Sequence, residues 1–478
     1  MVDILIKNGY LLTMRGEGVG VIEDGAVAIE EDRIAAVGKT SDIEKNFRGA
    51  EHIFDAKGKA VLPGFVDAHI HTSLTLLRGE GQDVPEIEWM LKTMAPFMNF
   101  IEPEHRIKGA KLGVLEAVKS GTTCFGEIGA DMSQIVEKVF IPSSVRACVA
   151  NTINEIGPES RRDPDKPYTF FSDIGEDKLR EALELIDKWN GAAEGRITCM
   201  LGPQAADMMS KDLLLRIKNI ARSKGLPIHI HVAQGGREAI QIKLRYGTST
   251  IRFLDDIGYL DDRVIAAHCH QASDEEVALL AHRGVRYVSC PSSIGLIDGI
   301  TPPLALFLAS GGKYAALGSD QASGNNSHNI IKEMRMASFL NKTRHRDPTI
   351  LPAWKVLRIA TIEGAYALGL GDEIGSIEVG KKADLVILNL KAPHLTPIIS
   401  RPVRNIAPNI VYSARGDEIE TVIVNGEIIM ENKKVLKMNE CEVMREAQEA
   451  AEEVTSKAAE DYMKADSNLA KAVRKGLL

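Results

Sequence analysis

Over the first sixty residues apolar and polar positions alternate, in DILIKNGYL and again in AVAIEEDRIAAVG, with Asn-Gly and Glu-Asp pairs punctuating the runs. A period of two is the mark of a half-exposed strand, and the pairs predict hairpin turns at Asn8-Gly9 and Glu31-Asp32. The same style returns between residues 377 and 430, where IEVGKKADLVILNL and ETVIVNGEII carry the matching pair Asn425-Gly426. The two ends therefore predict one small β-sandwich-like domain, residues 1–58 with 372–435, flanking a larger inserted unit.

In that inserted unit, residues 59–371, the pattern changes to short apolar strands separated by long amphipathic runs. Eight strands are expected, in AVLPGFVDAHI, TTCFGEI, RACVANTI, RITCMLGP, PIHIHVA, VIAAHC, VRYVSCP and YAALGSD, with helical stretches such as DEEVALLAHRG between them. Eight consecutive βα units predict an α/β fold of the (β/α)8 TIM-barrel type, whose chemistry sits where strands end and loops begin. Residues 436–478 are rich in Ala, Glu and Lys and predict a helical tail on the surface.

Composition narrows the function. At 478 residues, 44% hydrophobic and 26% charged, the chain is an ordinary globular one. A net charge of -8 offers no basic footprint for nucleic acid, which leaves a small molecule as the expected partner. No apolar run reaches the roughly 18 residues of a spanning helix, and the opening MVDILIKNGYLLTMRGEG lacks a signal-peptide pattern, so no membrane partner and a cytoplasmic location are expected. Six cysteines without paired spacing suggest neither a disulfide framework nor a CxxC metal site. The prior for closed twofold assemblies makes a homodimer the expected oligomer.

The chemistry-bearing residues cluster at the strand ends. Alternate side chains of a strand share a face, so His69 and His71 project together from the end of the first barrel strand as a two-imidazole clamp. The fifth strand ends in His231, the sixth in His268 and the eighth in Asp320. Any one of these residues is unremarkable as a core or capping side chain. Four strand ends carrying metal-type ligands toward one mouth predict a metal centre.

PGFVDAHIHTSL, HIHVAQ, AAHC and LGSD, in this order, resemble the amidohydrolase superfamily, in its cytosine-deaminase-like branch that includes methylthioadenosine, guanine and chlorotriazine hydrolases. The likeness extends to GTT at 121–123, NNSHNIIKEMRMA at 325–337 and GSIEVGKKADLVIL near the end. It implies one divalent ion held by His69, His71, His231 and Asp320, with His268 beside it as a catalytic and substrate-contacting residue. The fourth strand, RITCMLGPQ, ends without the lysine that carries a bridging carbamate in two-metal relatives, so one ion per chain is expected. Zinc is the first candidate, and iron, manganese or nickel also suit His and Asp ligands. A bound divalent ion lowers the pKa of water from 15.7 toward about 7, and Asp320 would take the proton. The expected reaction is removal of an amino group from a nitrogen heterocycle such as a purine, pyrimidine, pterin or triazine.

The chain departs from the pattern of those deaminases in two places. Where they place a proton-shuttling glutamate three residues after the strand-five histidine, this chain has Gln234, which can donate and accept hydrogen bonds but cannot exchange a proton near neutral pH. Glu127 is the leading candidate for a substitute acid, with Glu155, Glu238 and His270 behind it. Gln234 also leaves open a hydrolase that expels an alkylamine, a halide or a ring amide, and a metal-binding scaffold without activity. His229, one layer below His231, is expected to pack or to support a ligand. After strand seven the chain reads SCPSSIG where relatives often show HNPxSN. Ser292 in that loop, and Gln321 and Asn325 after Asp320, join Gln234 and His268 as expected substrate contacts.

Overall fold

A computed structural model describes residues 2–47, 49–157 and 163–478. The alternating ends of the chain build one nine-stranded sheet. Its strands are β1 (Val2–Leu12), β2 (Val21–Glu30), β3 (Arg33–Lys39), β4 (Ala50–Asp55), β5 (Lys59–Pro63), and, from the far end, β15 (Leu385–Asn389), β16 (Ile419–Val424), β17 (Glu427–Glu431) and β18 (Lys434–Val435). They run in the order β18-β17-β16-β15-β5-β1-β2-β3, with β4 beside β1. The join is β5, parallel to β1 and antiparallel to β15. The period of two sends Ile4, Ile6, Val27 and Ile29 to one face, packed with Val61, Leu385 and Ile423. Leu5, Ala26 and Ala28 pack on the other face with Ile43.

The two Asn-Gly pairs differ in what they do. Asn425 and Gly426, both with positive φ, form the two-residue turn between β16 and β17. Asn8-Gly9 is not a turn, contrary to the alternation. It lies inside the 11-residue β1 as a bulge. Asn8 takes a φ of 63° there because its N–H donates to Thr40 Oγ1 and its amide donates to Asp55.

The inserted unit forms the barrel from Phe65 on: the expected first strand, AVLPGFVDAHI, divides at Gly64, its first half joining the sheet above as β5 and its second half opening the barrel. Its strands are β6 (Phe65–Ile70), β7 (Thr122–Gly129), β8 (Arg146–Ile153), β9 (Ile197–Cys199) with β10 (Gly202–Pro203) as a broken fourth strand, β11 (Ile228–Val232), β12 (Val264–His268), β13 (Arg286–Ser289) and β14 (Ala315–Leu317). Parallel pairing links β6 through β10 and β11 through β14. Single bridges complete the ring, Leu201–Ile228 and Ala205–His231 on one side and Ile70–Asp320 on the other. Inward positions carry small or slender side chains, Val66, Ala68, Cys124, Cys148, Ala150, Ile265, Val288 and Ala316. Outward positions such as Phe65, Phe125, Ile228, Ile230 and Val264 pack into the large helix-lined core. Ile228 and Ile230 face out, so His229 and His231 face in.

The C-terminal helices Glu440–Lys464 and Asn468–Arg474 lean on the segment between β6 and the helix Pro103–Lys119. Val454 and Ala458 pack there against Leu77, Val84, Trp89, Met94 and Phe97. All six cysteines are free thiols, and only Cys441 is exposed. Among the described residues no helix is long and apolar enough to cross a membrane.

Candidate metal centre

Backbone geometry at the strand ends brings the predicted ligands together. The end of β14 is laid across the end of β6: Asp320 N–H donates to His69 O at 2.8 Å, and His71 N–H donates to Asp320 O at 3.3 Å. Four non-glycine residues here adopt the left-handed region, Ala233 (φ 48°), His268 (75°), Cys269 (51°) and Asp320 (60°). Such a conformation costs about 1–2 kcal/mol per residue and persists only where the surroundings over-determine it. Here it turns the side chains of His268 and Asp320 at strand ends that would otherwise continue outward.

Three imidazoles are oriented through Nδ1. His71 Nδ1 lies 2.6 Å from Ile128 O, His231 Nδ1 lies 2.6 Å from Gln204 O, and His69 Nδ1 lies 2.9 Å from Nε2 of the buried His229. A carbonyl only accepts, so His71 and His231 each carry a proton on Nδ1, and the neutral ring presents a bare Nε2. Those two Nε2 atoms face each other at 3.4 Å. Asp320 Oδ1 stands 3.5 Å from His71 Nε2 and 3.7 Å from His69 Nε2. His69 Nε2 is buried and has no hydrogen-bond partner. Lone pairs gathered at this spacing repel one another unless they share a cation. His69, His71 and Asp320 form one group of potential ligand atoms within 4.8 Å of one another, and His69, His231 and His268 form another. Burial, then the neighbouring imidazoles, holds His69, His231 and His268 well below the usual histidine range. Neutral imidazole is the form that ligates.

The remaining predicted residues fall around this group in ways the motifs did not reveal. Ser293, which the sequence reading passed over, donates from Oγ to Asp320 Oδ2 at 2.6 Å. Gln234 is half-buried at the start of the loop after β11. Glu238 fixes that loop from below, accepting from Ala233 N–H at 3.2 Å and Gln234 N–H at 2.8 Å. Glu127 does the equivalent after β6: fully buried, it accepts from Thr72 N–H at 3.0 and 3.1 Å. Burial pushes both carboxyls up to about 8. Glu155 accepts from Ser210 N–H, and His270 Nε2 pairs with Asp298 at 2.7 Å. The four candidates for a substitute acid are thus bonded into loop structure.

The expected substrate contacts are held in the same fashion. Glu333, pushed up to about 7 by burial, accepts from Ser292 N–H and from Asn325 Nδ2, both at 3.0 Å. The second Nδ2 proton of Asn325 goes to Ser319 O at 2.7 Å, so that amide nitrogen ties the loops after β13 and β14 together. Gln321 Oε1 accepts from Ser323 Oγ at 3.1 Å. A short polar residue after a strand end reads equally well as a substrate contact or a loop tie. Only the partner's identity separates them.

Comparison with known proteins identifies the family. The amidohydrolase family model matches residues 60–429. A 5'-deoxyadenosine deaminase of Methanosarcina acetivorans is 36% identical over 459 residues, covering 96% of this chain and 100% of its own. A 5-methylthioadenosine/S-adenosylhomocysteine deaminase of Pelotomaculum thermopropionicum is 36% identical over 452 residues, with 94% and 98% covered. Among solved structures, an adenosine deaminase from Xanthomonas campestris with bound zinc superposes with a TM-score of 0.86 at 29% identity, covering 95% of this chain and 99% of that one. Atrazine chlorohydrolase from Arthrobacter aurescens, complexed with zinc, shares the fold, with a TM-score of 0.82 at 21% identity and 94% and 100% covered. Matched over most of its length by the family model and over nearly all of it by these deaminases, the chain belongs to the amidohydrolase family and is a metal-dependent hydrolase acting on C–N bonds other than peptide bonds.

Proposed function

We propose that the protein removes the exocyclic amino group of a purine nucleoside of the adenosine type, using one divalent ion held by His69, His71, His231 and Asp320. The observation that carries this is the pair of facing Nε2 atoms of His71 and His231, 3.4 Å apart with no proton to share, beside an unpartnered His69 Nε2 and a carboxylate oxygen. Three nitrogens and one oxygen are a donor set that zinc accepts, and zinc is the first choice, with iron, manganese or nickel compatible. The adenosine-type substrate is supported by the deaminase relatives. The reading includes a cytoplasmic, homodimeric enzyme.

When bound, such an ion polarises water and the reacting carbon's environment and makes hydroxide available near neutral pH. The chain's own residues do the rest. Asp320, its carboxylate oriented by the Ser293 hydroxyl donating to Oδ2, would take the proton of the attacking water and return it to the leaving nitrogen. His268, neutral and with a buried Nδ1 that has no partner, is held at the rim by its strained backbone to hydrogen-bond the reacting group. Gln234 orients the heterocycle by donating and accepting, without carrying the proton. Glu127 and Glu238 hold the loops after β6 and β11 in register.

Gln234 itself favours a second reading, in which the leaving group needs no proton donor of glutamate's kind, as with a halide or another good leaving group. A screen of metal-loaded enzyme against adenosines altered at the 5' position, aminated pyrimidines, pterins and triazines, with ammonia measured directly, separates the two. Ammonia from an adenosine-type compound is the expected result. Halide or alkylamine release without ammonia would establish the second reading.

A further inference from the structure

Outside the imidazole group, one fully buried side chain links the two strand ends that carry Asp320 and His71. His328 precedes the helix Ile330–His345 and is 0% exposed. Its Nδ1 is hydrogen-bonded to Ser319 Oγ at 3.0 Å and its Nε2 to Thr75 Oγ1 at 2.9 Å. Ser319 in turn bonds Asp67, its Oγ 2.5 Å from Oδ2 and its N–H donating to Oδ1 at 3.0 Å. Thr75 Oγ1 donates to Thr72 O at 2.6 Å. An unbroken chain of four hydrogen bonds therefore runs from Asp67, two residues before His69, to Thr72, next to His71. The backbone of His328 is itself anchored, its N–H donating to Glu116 at 3.1 Å.

We propose that His328 is a positioning residue that locks the Ser319-Asp320 strand end to the loop following His71 and so fixes the ligand geometry. The inference rests on the metal-site reading above. A histidine filling space in a core would need any partner for its two nitrogens. Here each nitrogen takes a hydroxyl from a different segment, and both segments adjoin a ligand. Asp320 sits at φ 60° immediately after Ser319, a conformation that relaxes unless Ser319 is held. Asp67 holds Ser319 from the side of β6, and His328 holds the same hydroxyl from the side of the loop. Residues that orient ligands in this way typically alter metal affinity or activity by about 10- to 100-fold when removed.

The test compares His328→Leu, His328→Asn and His328→Gln in the full chain, each loaded with zinc. Metal loss to a chelator is followed over time, zinc affinity is measured by competition, and kcat and KM are measured on a substrate found by the screen. Asparagine places an amide near the position of Nδ1 and keeps the Ser319 bond; glutamine reaches toward Thr75 and loses it. His328→Leu should release zinc about 10- to 100-fold faster, with kcat reduced and KM within about threefold of wild type. His328→Asn should stay within about threefold of the wild-type rate, and His328→Gln should follow the leucine variant. Wild-type zinc release from His328→Leu, at any melting temperature, would make His328 a packing residue only. Should the leucine variant not fold, equal release rates for the Asn and Gln variants overturn the inference. Wild-type protein that takes up no metal sinks the metal-site reading itself, a separate outcome visible before any variant is made.

Discussion

Replacing Glu127 with glutamine separates a proton carrier from a loop anchor. The Glu127 carboxyl is fully buried and pushed up from its ordinary 4.5 to about 8, chiefly by burial, while Thr72 N–H bonds pull the other way. Because the folded value is raised, the native chain holds a proton that the unfolded chain releases. The stability this group contributes is complete below about 4.5 and is lost as the pH climbs through about 8. Between those limits the loss is on the order of 4 kcal/mol. Glutamine has the same shape, keeps an oxygen for Thr72 N–H and does not titrate. Metal-free Glu127→Gln should therefore match wild type in urea unfolding at pH 5 and surpass it increasingly from pH 6 to 8.5. The zinc-loaded variant should keep kcat within about threefold across the same range. Parallel stability curves together with a kcat lower by about 10²- to 10⁴-fold, the usual cost of a lost general acid, would refute the anchor and make Glu127 the proton carrier.

Other outcomes follow from the same geometry. Metal analysis should find one equivalent of divalent ion per chain and none in the double variant His69→Ala with His71→Ala; two equivalents in an active sample would contradict the single-ion site. Ser293→Ala removes the hydroxyl that donates to Asp320 Oδ2, and a lost bond to a charged group costs about 1.5–3 kcal/mol. It should lower kcat by about 10- to 100-fold with zinc still bound, and unchanged turnover would mean that Asp320 needs no such support. Gln234→Glu adds a titrating group at the loop after β11 and should keep or raise kcat while adding a limb to the pH–rate profile. A fall of tenfold or more, with no new limb, would count in favour of a chemistry that requires a neutral group at that position.

Much of the fold was legible because its signals are local. Strand alternation in β1 and β2, apolar strands of the barrel and the histidine pairs on alternate positions all follow from periods of two, which the chain spells out residue by residue. The Asn8-Gly9 pair shows where that stops. The same dipeptide closes a hairpin at Asn425-Gly426 and bulges a long strand at Asn8, because Thr40 and Asp55, distant in sequence, supply the partners that hold Asn8 in place. The broken fourth strand is another case: a single expected run, RITCMLGP, divides into β9 and β10, and its end completes the ring through isolated bridges.

The site divides along the same physical line. Ligand type and strand position are written in the sequence, so His69, His71, His231, His268 and Asp320 could be singled out there and are found converging. What aims them is not written there: the left-handed backbone at His268 and Asp320, the carbonyls that fix the Nδ1 protons, and the hydroxyl of Ser293 all depend on loops meeting in space. The carboxylates mislead for the same reason. A glutamate after a barrel strand has one appearance in sequence and two uses in structure, proton transfer to a ligand or acceptance of the N–H groups that a turning chain leaves unpaired. Glu127 accepts from Thr72, Glu238 from Ala233 and Gln234, Glu155 from Ser210, and Glu333 from Ser292. Each of the four follows or faces a strand end where the backbone breaks off from its ladder, which is where a buried acceptor is needed most. With these carboxylates committed to the loops and an amide at position 234, the proposed mechanism gives the proton transfer to Asp320, which would take the proton of the entering water and pass it to the leaving nitrogen.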